Sequence, residues 1–314
     1  MSLIEQAAKR LEQLRQAGVE LPDDTPLNSL PRTTQAPIQS EEISVKALET
    51  PPSQKEAPAS SSPLPPTPVK RVDINLEAIA ASGLLVPHAT RSQLADEFRV
   101  IKRPLIANAM GKGGIQIANG NLIMITSALP GEGKSFTAIN LAISIAMELD
   151  NTVMLVDADV ARPSVLNMLG LPPAPGLLDV LDKNSVDISG VLMRTNIEKL
   201  SILPSGTQHP RATELLASDA MVRLLDDMAN RYSDRIIVFD SPPLLLTTES
   251  RAIATHMGQI VVVVNAGQTL QSAVIQAVST IEACPVKMMV LNQSRQPAGD
   301  GYGYGYGYGY GNDL

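Results

Sequence analysis

Leu122-Ile123-Met124-Ile125-Thr126-Ser127-Ala128-Leu129-Pro130-Gly131-Glu132-Gly133-Lys134-Ser135 is the segment with the most architectural information. Its first five residues form a short apolar run that reads as a buried strand, and the segment from Ser135 onward reads as a helix. Between them lies the Walker A pattern, with Ala128 in its first glycine position. Phosphate binding needs these residue types at this spacing. Gly131 and Gly133 let backbone N–H groups close around phosphate oxygens, and the following helix turns its N-terminus toward them. Lys134 reaches the β- and γ-phosphates, and the Ser135 hydroxyl is placed to ligate Mg²⁺. The expected nucleotide-contacting residues are therefore Pro130, Gly131, Glu132, Gly133, Lys134, Ser135 and Phe136, with ATP and Mg²⁺ as cofactors.

Outward from this loop, short apolar runs alternate with helical stretches. Strands are expected at Val153–Asp157, Leu200–Leu203, Arg235–Asp240, Gln259–Val264 and Lys287–Leu291. Helices are expected at Ser92–Met110, Ser135–Glu148, Ala212–Arg231, Glu249–His256 and Leu270–Ala283. Strand runs without period-2 alternation indicate parallel strands buried on both faces. The fold class is α/β: a P-loop NTPase-type doubly wound, mainly parallel sheet. In such sheets ligands sit beyond the carboxyl ends of the strands, where Asp157, Asp159 and Asp240 all fall. Mg²⁺ takes one or two carboxylates plus phosphate oxygens. Ser135, Asp157 and Asp240 are the expected metal residues, and Lys134, Asp157 and Asp159 the expected catalytic ones.

Composition bounds the rest. The 314 residues are 44% hydrophobic but only 3% aromatic, so the core is aliphatic. A net charge of −7 argues against a nucleic-acid partner, which needs a basic footprint. Cys284 is the lone cysteine, which excludes an intramolecular disulfide. No apolar run reaches the roughly 18 residues that span a bilayer, and the first residues lack a signal-peptide core, so a cytoplasmic protein is expected. Residues 1–18 hold a short amphipathic helix over 2–16, with Ile4, Ala7, Leu11 and Leu14 on one stripe. Residues 19–70 contain eleven of the 24 prolines and read as a disordered tether. The folded domain takes 71–296, and 297–314 form a flexible Gly-Tyr tail. Five of the six tyrosines (Tyr302, Tyr304, Tyr306, Tyr308 and Tyr310) alternate there with glycine. A tail without fixed fold can present each phenol in turn to a phosphate-binding site.

Several nucleotide-dependent activities fit a P-loop. The partitioning ATPases carry a second lysine where this chain has Leu129, and no Asn-Lys-x-Asp string reads guanine, so ATP is preferred. The combination of Walker A at Ala128–Ser135, Walker A′ at Met154–Asp159, Walker B at Ile236–Asp240 and the tyrosine cluster resembles the bacterial tyrosine kinases. More narrowly, it resembles the autokinases of exopolysaccharide loci of the exosortase type. The resemblance implies autophosphorylation of the tail in trans, within a ring-type homo-oligomer, and control of exopolysaccharide synthesis. It also implies a separate membrane-anchored polysaccharide co-polymerase as activator, recruitment to the inner membrane through it, and a cognate tyrosine phosphatase. By the same resemblance Asp96, Glu97, Arg99 and Lys102 form the subunit interface, and helical spacing puts Asp96, Arg99 and Lys102 on one face. By analogy with related P-loop folds, Asn292 contacts adenine. The competing expectation is a non-kinase P-loop ATPase that switches assembly of a membrane complex.

Overall fold

The structure is a computed structural model that describes residues 70–87, 92–112, 114, 116–182, 187–231 and 235–294, all within one compact unit, Pro63–Leu314. The helix expected over 2–16, the tether up to residue 69 and the tail tyrosines lie outside the described residues.

Among the described residues eight strands form one sheet: β1 (Lys70–Val72), β2 (Leu122–Ser127), β3 (Thr152–Asp157), β4 (Met193–Thr195), β5 (Leu200–Leu203), β6 (Arg235–Asp240), β7 (Gln259–Asn265) and β8 (Val286–Asn292). Their spatial order is β1-β4-β5-β3-β6-β2-β7-β8. Pairings are parallel except β4 with β5. The helices among them are α1 (Leu76–Ala81), α2 (Gln93–Ala109), α3 (Lys134–Ala146), α4 (Val165–Met168), α5 (Leu177–Asp182) and α6 (Ile188–Val191). They continue with α7 (Ala212–Leu216), α8 (Asp219–Arg231), α9 (Glu249–Ala254) and α10 (Gln271–Ser279).

Pleating explains why the central strands need two covers. In β2, Leu122 and Met124 enter one core while Ile123 and Ile125 enter the core on the other face, and all are fully buried. Continuous apolar runs are therefore required, and helices must close both faces. α3 is apolar on most sides and buried from Thr137 to Ala146, so it packs as an interior helix rather than a surface one.

Three expectations need correcting. Residues Ala212–Arg231 form two helices, because the Ser218 hydroxyl accepts the Met221 N–H at 3.3 Å and starts α8 afresh. β8 does alternate between half-buried and exposed residues, because it is the edge strand and has one face poorly covered. Lys70, assigned to the tether, already pairs with Met193 at the opposite edge.

Candidate active site

β6 lies between β2 and β3, so the phosphate loop and the two acidic strand ends meet at a point where the chain changes direction across the sheet. Asp240 is in register with Ile125 of β2 and with Asp157 of β3. This places both carboxylates beside the loop that leaves β2.

The loop itself is braced from several sides. Gly131 and Gly133 have φ of +82° and +91°, the left-handed region that glycine enters without strain. A Cβ on Gly133 would lie 2.0 Å from Asn292 Nδ2. Asn292 Nδ2 donates to the Glu132 carbonyl at 2.9 Å. Glu132 is buried; one oxygen accepts the Leu129 N–H at 2.7 Å and the other accepts the Thr269 hydroxyl. The Glu132 carboxylate and one amide N–H of Asn292 thus brace the loop. A cavity of about 610 Å³ opens in front of it, lined by Pro130, Gly131, Gly133, Lys134, Ser135 and Phe136 together with Asp159 and Arg162. Glu132 and Asn292 are not among its lining residues.

At the floor, Lys134 Nζ lies 2.7 Å from Asp159 Oδ2 and 3.5 Å from Asp240 Oδ1. Burial alone would lower its pKa, but the charges of Asp240, Asp159 and Asp157 outweigh that and raise it, so it stays cationic. Asp157 is buried; its Oδ2 accepts the Ser164 and Val165 N–H groups at 3.1 Å each. Burial and the neighbouring Asp240 charge nevertheless push Asp157 up to about 7. Asp240 is pushed up to about 6 by burial, with Lys134 pulling against it. The Ser135 hydroxyl accepts from Ser164 Oγ at 2.9 Å and from Lys134 Nζ at 3.2 Å.

Three acids therefore share one lysine. Both Asp240 oxygens and Asp157 Oδ1 are buried without a well-formed hydrogen bond among the described residues. Such orphaned carboxylate oxygens beside the Ser135 hydroxyl fit a hard dication that would complete its shell with phosphate oxygens and water. Ser135 and Asp240, with Asp157 at the edge of the group, are the side chains that would hold Mg²⁺.

The structure brings Lys134, Ser135, Asp157, Asp159 and Asp240 together and sets the α2 residues apart from them. Asp96 and Arg99 form an exposed ion pair with each other, and Glu97, also exposed, accepts from Gln93 Nε2 at 2.8 Å. Lys102 does not share their face. It is 5% exposed, donates to the Ser144 carbonyl at 2.6 Å and pairs with Glu148 Oε1 at 2.6 Å. Steps of three residues advance about 300° around a helix, so two such steps carry Lys102 well away from Asp96. Thr269 and Ser164, which brace the loop and link Ser135 to the Asp157 turn, carried no signal in the sequence; both are small polar residues in loops.

Residues 120–292 match the family described as an AAA domain. The chain is 34% identical over 167 residues to tyrosine-protein kinase YwqD of Bacillus subtilis (strain 168), covering 53% of this chain and 69% of that one. It is 34% identical over 188 residues to the succinoglycan biosynthesis transport protein ExoP of Rhizobium meliloti (strain 1021), covering 59% of this chain and 23% of that one. The chain thus spans most of the first relative but under a quarter of the second. Among solved structures, the chimerical protein CapA2B2 superposes with a TM-score of 0.56 at 26% identity, covering 70% of this chain and 92% of that one.

Proposed function

This chain belongs to the bacterial tyrosine-protein kinases, and from that premise we propose that it transfers the γ-phosphoryl group of ATP to tyrosines of its own tail, in trans between copies. The observation that carries this reading is Lys134 held among Asp159, Asp240 and Asp157 at the end of the sheet, in a chain that also supplies five glycine-flanked phenols. Magnesium bound with the nucleotide would supply charge neutralisation. Lys134, pre-positioned by its acids, exchanges the Asp159 contact for phosphate oxygens. Ser135 and Asp240 hold the metal side of the site, and Asp159 supports it. Asp157, with a carboxyl near 7, is matched to accept the phenolic proton at neutral pH as the phenol oxygen bonds to phosphorus and ADP departs with the electrons of the broken bond. Most of the rate would come from position and charge rather than covalent chemistry.

Trans transfer calls for self-association, and the exposed residues Asp96, Glu97 and Arg99 of α2 are the ones available for a ring contact. The name of ExoP supports a place for the chain in exopolysaccharide synthesis or export. Among the described residues no helix is long and apolar enough to cross a membrane. A membrane-anchored polysaccharide co-polymerase as activator and recruiting partner, and a tyrosine phosphatase to reset the tail, complete the reading.

Mass spectrometry of the tail after incubation with Mg²⁺-ATP is the test. Phosphate on Tyr302–Tyr310, absent in Lys134→Met, is the expected result. Nucleotide hydrolysis with an unmodified tail would instead favour the ATPase switch.

A further inference from the structure

β8 pairs in parallel with β7 along all seven of its residues, and among the described residues no strand borders its other side. The Asn292 carbonyl accepts the Ala266 N–H at 2.9 Å, so Asn292 turns its backbone groups toward β7. That direction alternates along a strand, and Lys287, Met289 and Leu291 therefore present their N–H and C=O groups to the open side. The side chains of the same three residues are exposed, Met289 at 60% and Leu291 at 69%, while Met288 and Val290 pack inward. The one charge on the strand, Lys287, is turned back onto the Glu282 and Cys284 carbonyls at 3.2 and 2.6 Å. An apolar edge in unbroken register, without proline, is a template for another strand.

Beside this edge runs a groove of about 900 Å³, lined by Leu94, Glu97, Val100 and Ile101 of α2 and by Met289 and Leu291 of β8. The chain itself supplies a segment of matching period. It continues from Asn292 through nine residues, 293–301, to Tyr302, and from there tyrosine and glycine alternate to Gly311. Residues two apart share a face in an extended segment, so one face would carry every ring and the other only glycine. Nine residues permit an antiparallel return and are too few for a parallel crossover, which takes about a dozen or more.

We propose that the unmodified tail docks on the open side of its own chain's β8 as an added antiparallel strand. Lys287, Met289 and Leu291 each exchange N–H and C=O groups with a tyrosine opposite, and the three rings cover the Met289 thioether, the Leu291 side chain and the Lys287 stem. The glycine face turns to α2, where the absence of Cβ atoms lets the backbone lie close to Val100 and Ile101. The seven residues of β8 engage three of the five tyrosines at a time. Glycine loses more chain entropy on ordering than any other residue, which keeps the docked state weak and the tail exchangeable. Docking needs neither nucleotide nor transfer and so goes beyond the kinase reading; in a kinase, docked phenols are withheld until they exchange out.

The test uses the full chain, phosphatase-treated and without nucleotide. Hydrogen exchange is followed in the peptide spanning Val286–Asn292. Tyrosine fluorescence anisotropy reads the tail directly, because the chain has no Trp and only Tyr232 lies outside the tail. The β8 amides should exchange about tenfold more slowly in the parent than in a chain whose five tail tyrosines are changed to serine. Met289→Lys with Leu291→Lys, at exposed positions, should abolish that protection and lower the anisotropy. Both effects should be independent of protein concentration. Equal exchange in all three chains, or anisotropy unmoved by the two lysines, overturns the docking and leaves the kinase reading standing. Protection that fades on dilution assigns the edge to a second copy and overturns docking by the chain's own tail. A parent that keeps β8 protected but phosphorylates no tyrosine when given Mg²⁺-ATP upholds the docking and overturns the kinase reading alone.

Discussion

Gly133 concentrates the demands of the site in one residue. Its φ of +91° and the 2.0 Å approach of Asn292 Nδ2 to a would-be Cβ leave no room for a side chain. Gly133→Ala should cost about 2–3 kcal/mol, from left-handed backbone strain plus a displaced Asn292–Glu132 hydrogen bond, and should weaken nucleotide binding. Urea unfolding and a nucleotide titration would show it; unchanged stability would mean the brace is unimportant. Asp157 makes the opposite kind of contribution. Its carboxyl titrates near 7 in the folded protein against 3.8 for an unperturbed group, so the folded state keeps a proton that the unfolded chain releases. The stabilisation from this group is full below about pH 4 and is lost as pH rises through about 7. Asp157→Asn keeps an oxygen for the Ser164 and Val165 N–H groups and removes the titration. Without nucleotide its melting temperature should therefore vary less than that of the parent between about pH 5 and pH 8, and should exceed it at about pH 8, while transfer is lost. Parallel pH curves for the two proteins would refute this account.

At the level of elements, α2 shows how a charge pattern divides between jobs. Lys102 is buried against α3 and the turn after it, through Ser144 and Glu148, whereas among the described residues Arg99 pairs with Asp96 at the surface. Lys102→Ala should lower stability by about 2 kcal/mol, because a charged hydrogen bond and its packing are lost. Arg99→Ala should change stability by less than about 0.5 kcal/mol, since exposed ion pairs contribute little. Self-association measured by sedimentation should respond in the reverse order, falling for Arg99→Ala and holding for Lys102→Ala below its melting point. Equal effects of the two on assembly would return Lys102 to the interface.

For the whole molecule the governing quantity is charge. The chain carries −7, and five tail phosphates would add roughly −8 to −10. Repulsion among such groups should drive modified tails away from neighbouring copies and loosen the ring. Sizing the protein before and after phosphatase treatment should show the larger assembly in the dephosphorylated sample, with the difference shrinking in high salt. Identical sizes would separate phosphorylation from assembly.

Features written in adjacent residues could be read before any fold was known. A β-branched run entering a glycine-rich loop specified the strand, the loop and the helix at Leu122–Ser135, and the apolar runs ending in Asp157 and Asp240 specified two more strands and the end of the sheet where they act. Short elements such as α4, α5, α6 and β4 were not legible, because three to six residues carry too little periodicity to stand out. Other outcomes were decided only in three dimensions. The pairing of Lys134 with Asp159, the bracing of the loop by Asn292 and by Thr269 on Glu132, and the burial of Lys102 against Ser144 and Glu148 each join residues far apart in the chain. Which polar group finds which partner depends on the strand order that brings them within hydrogen-bond reach, and a local pattern contains no measure of that distance.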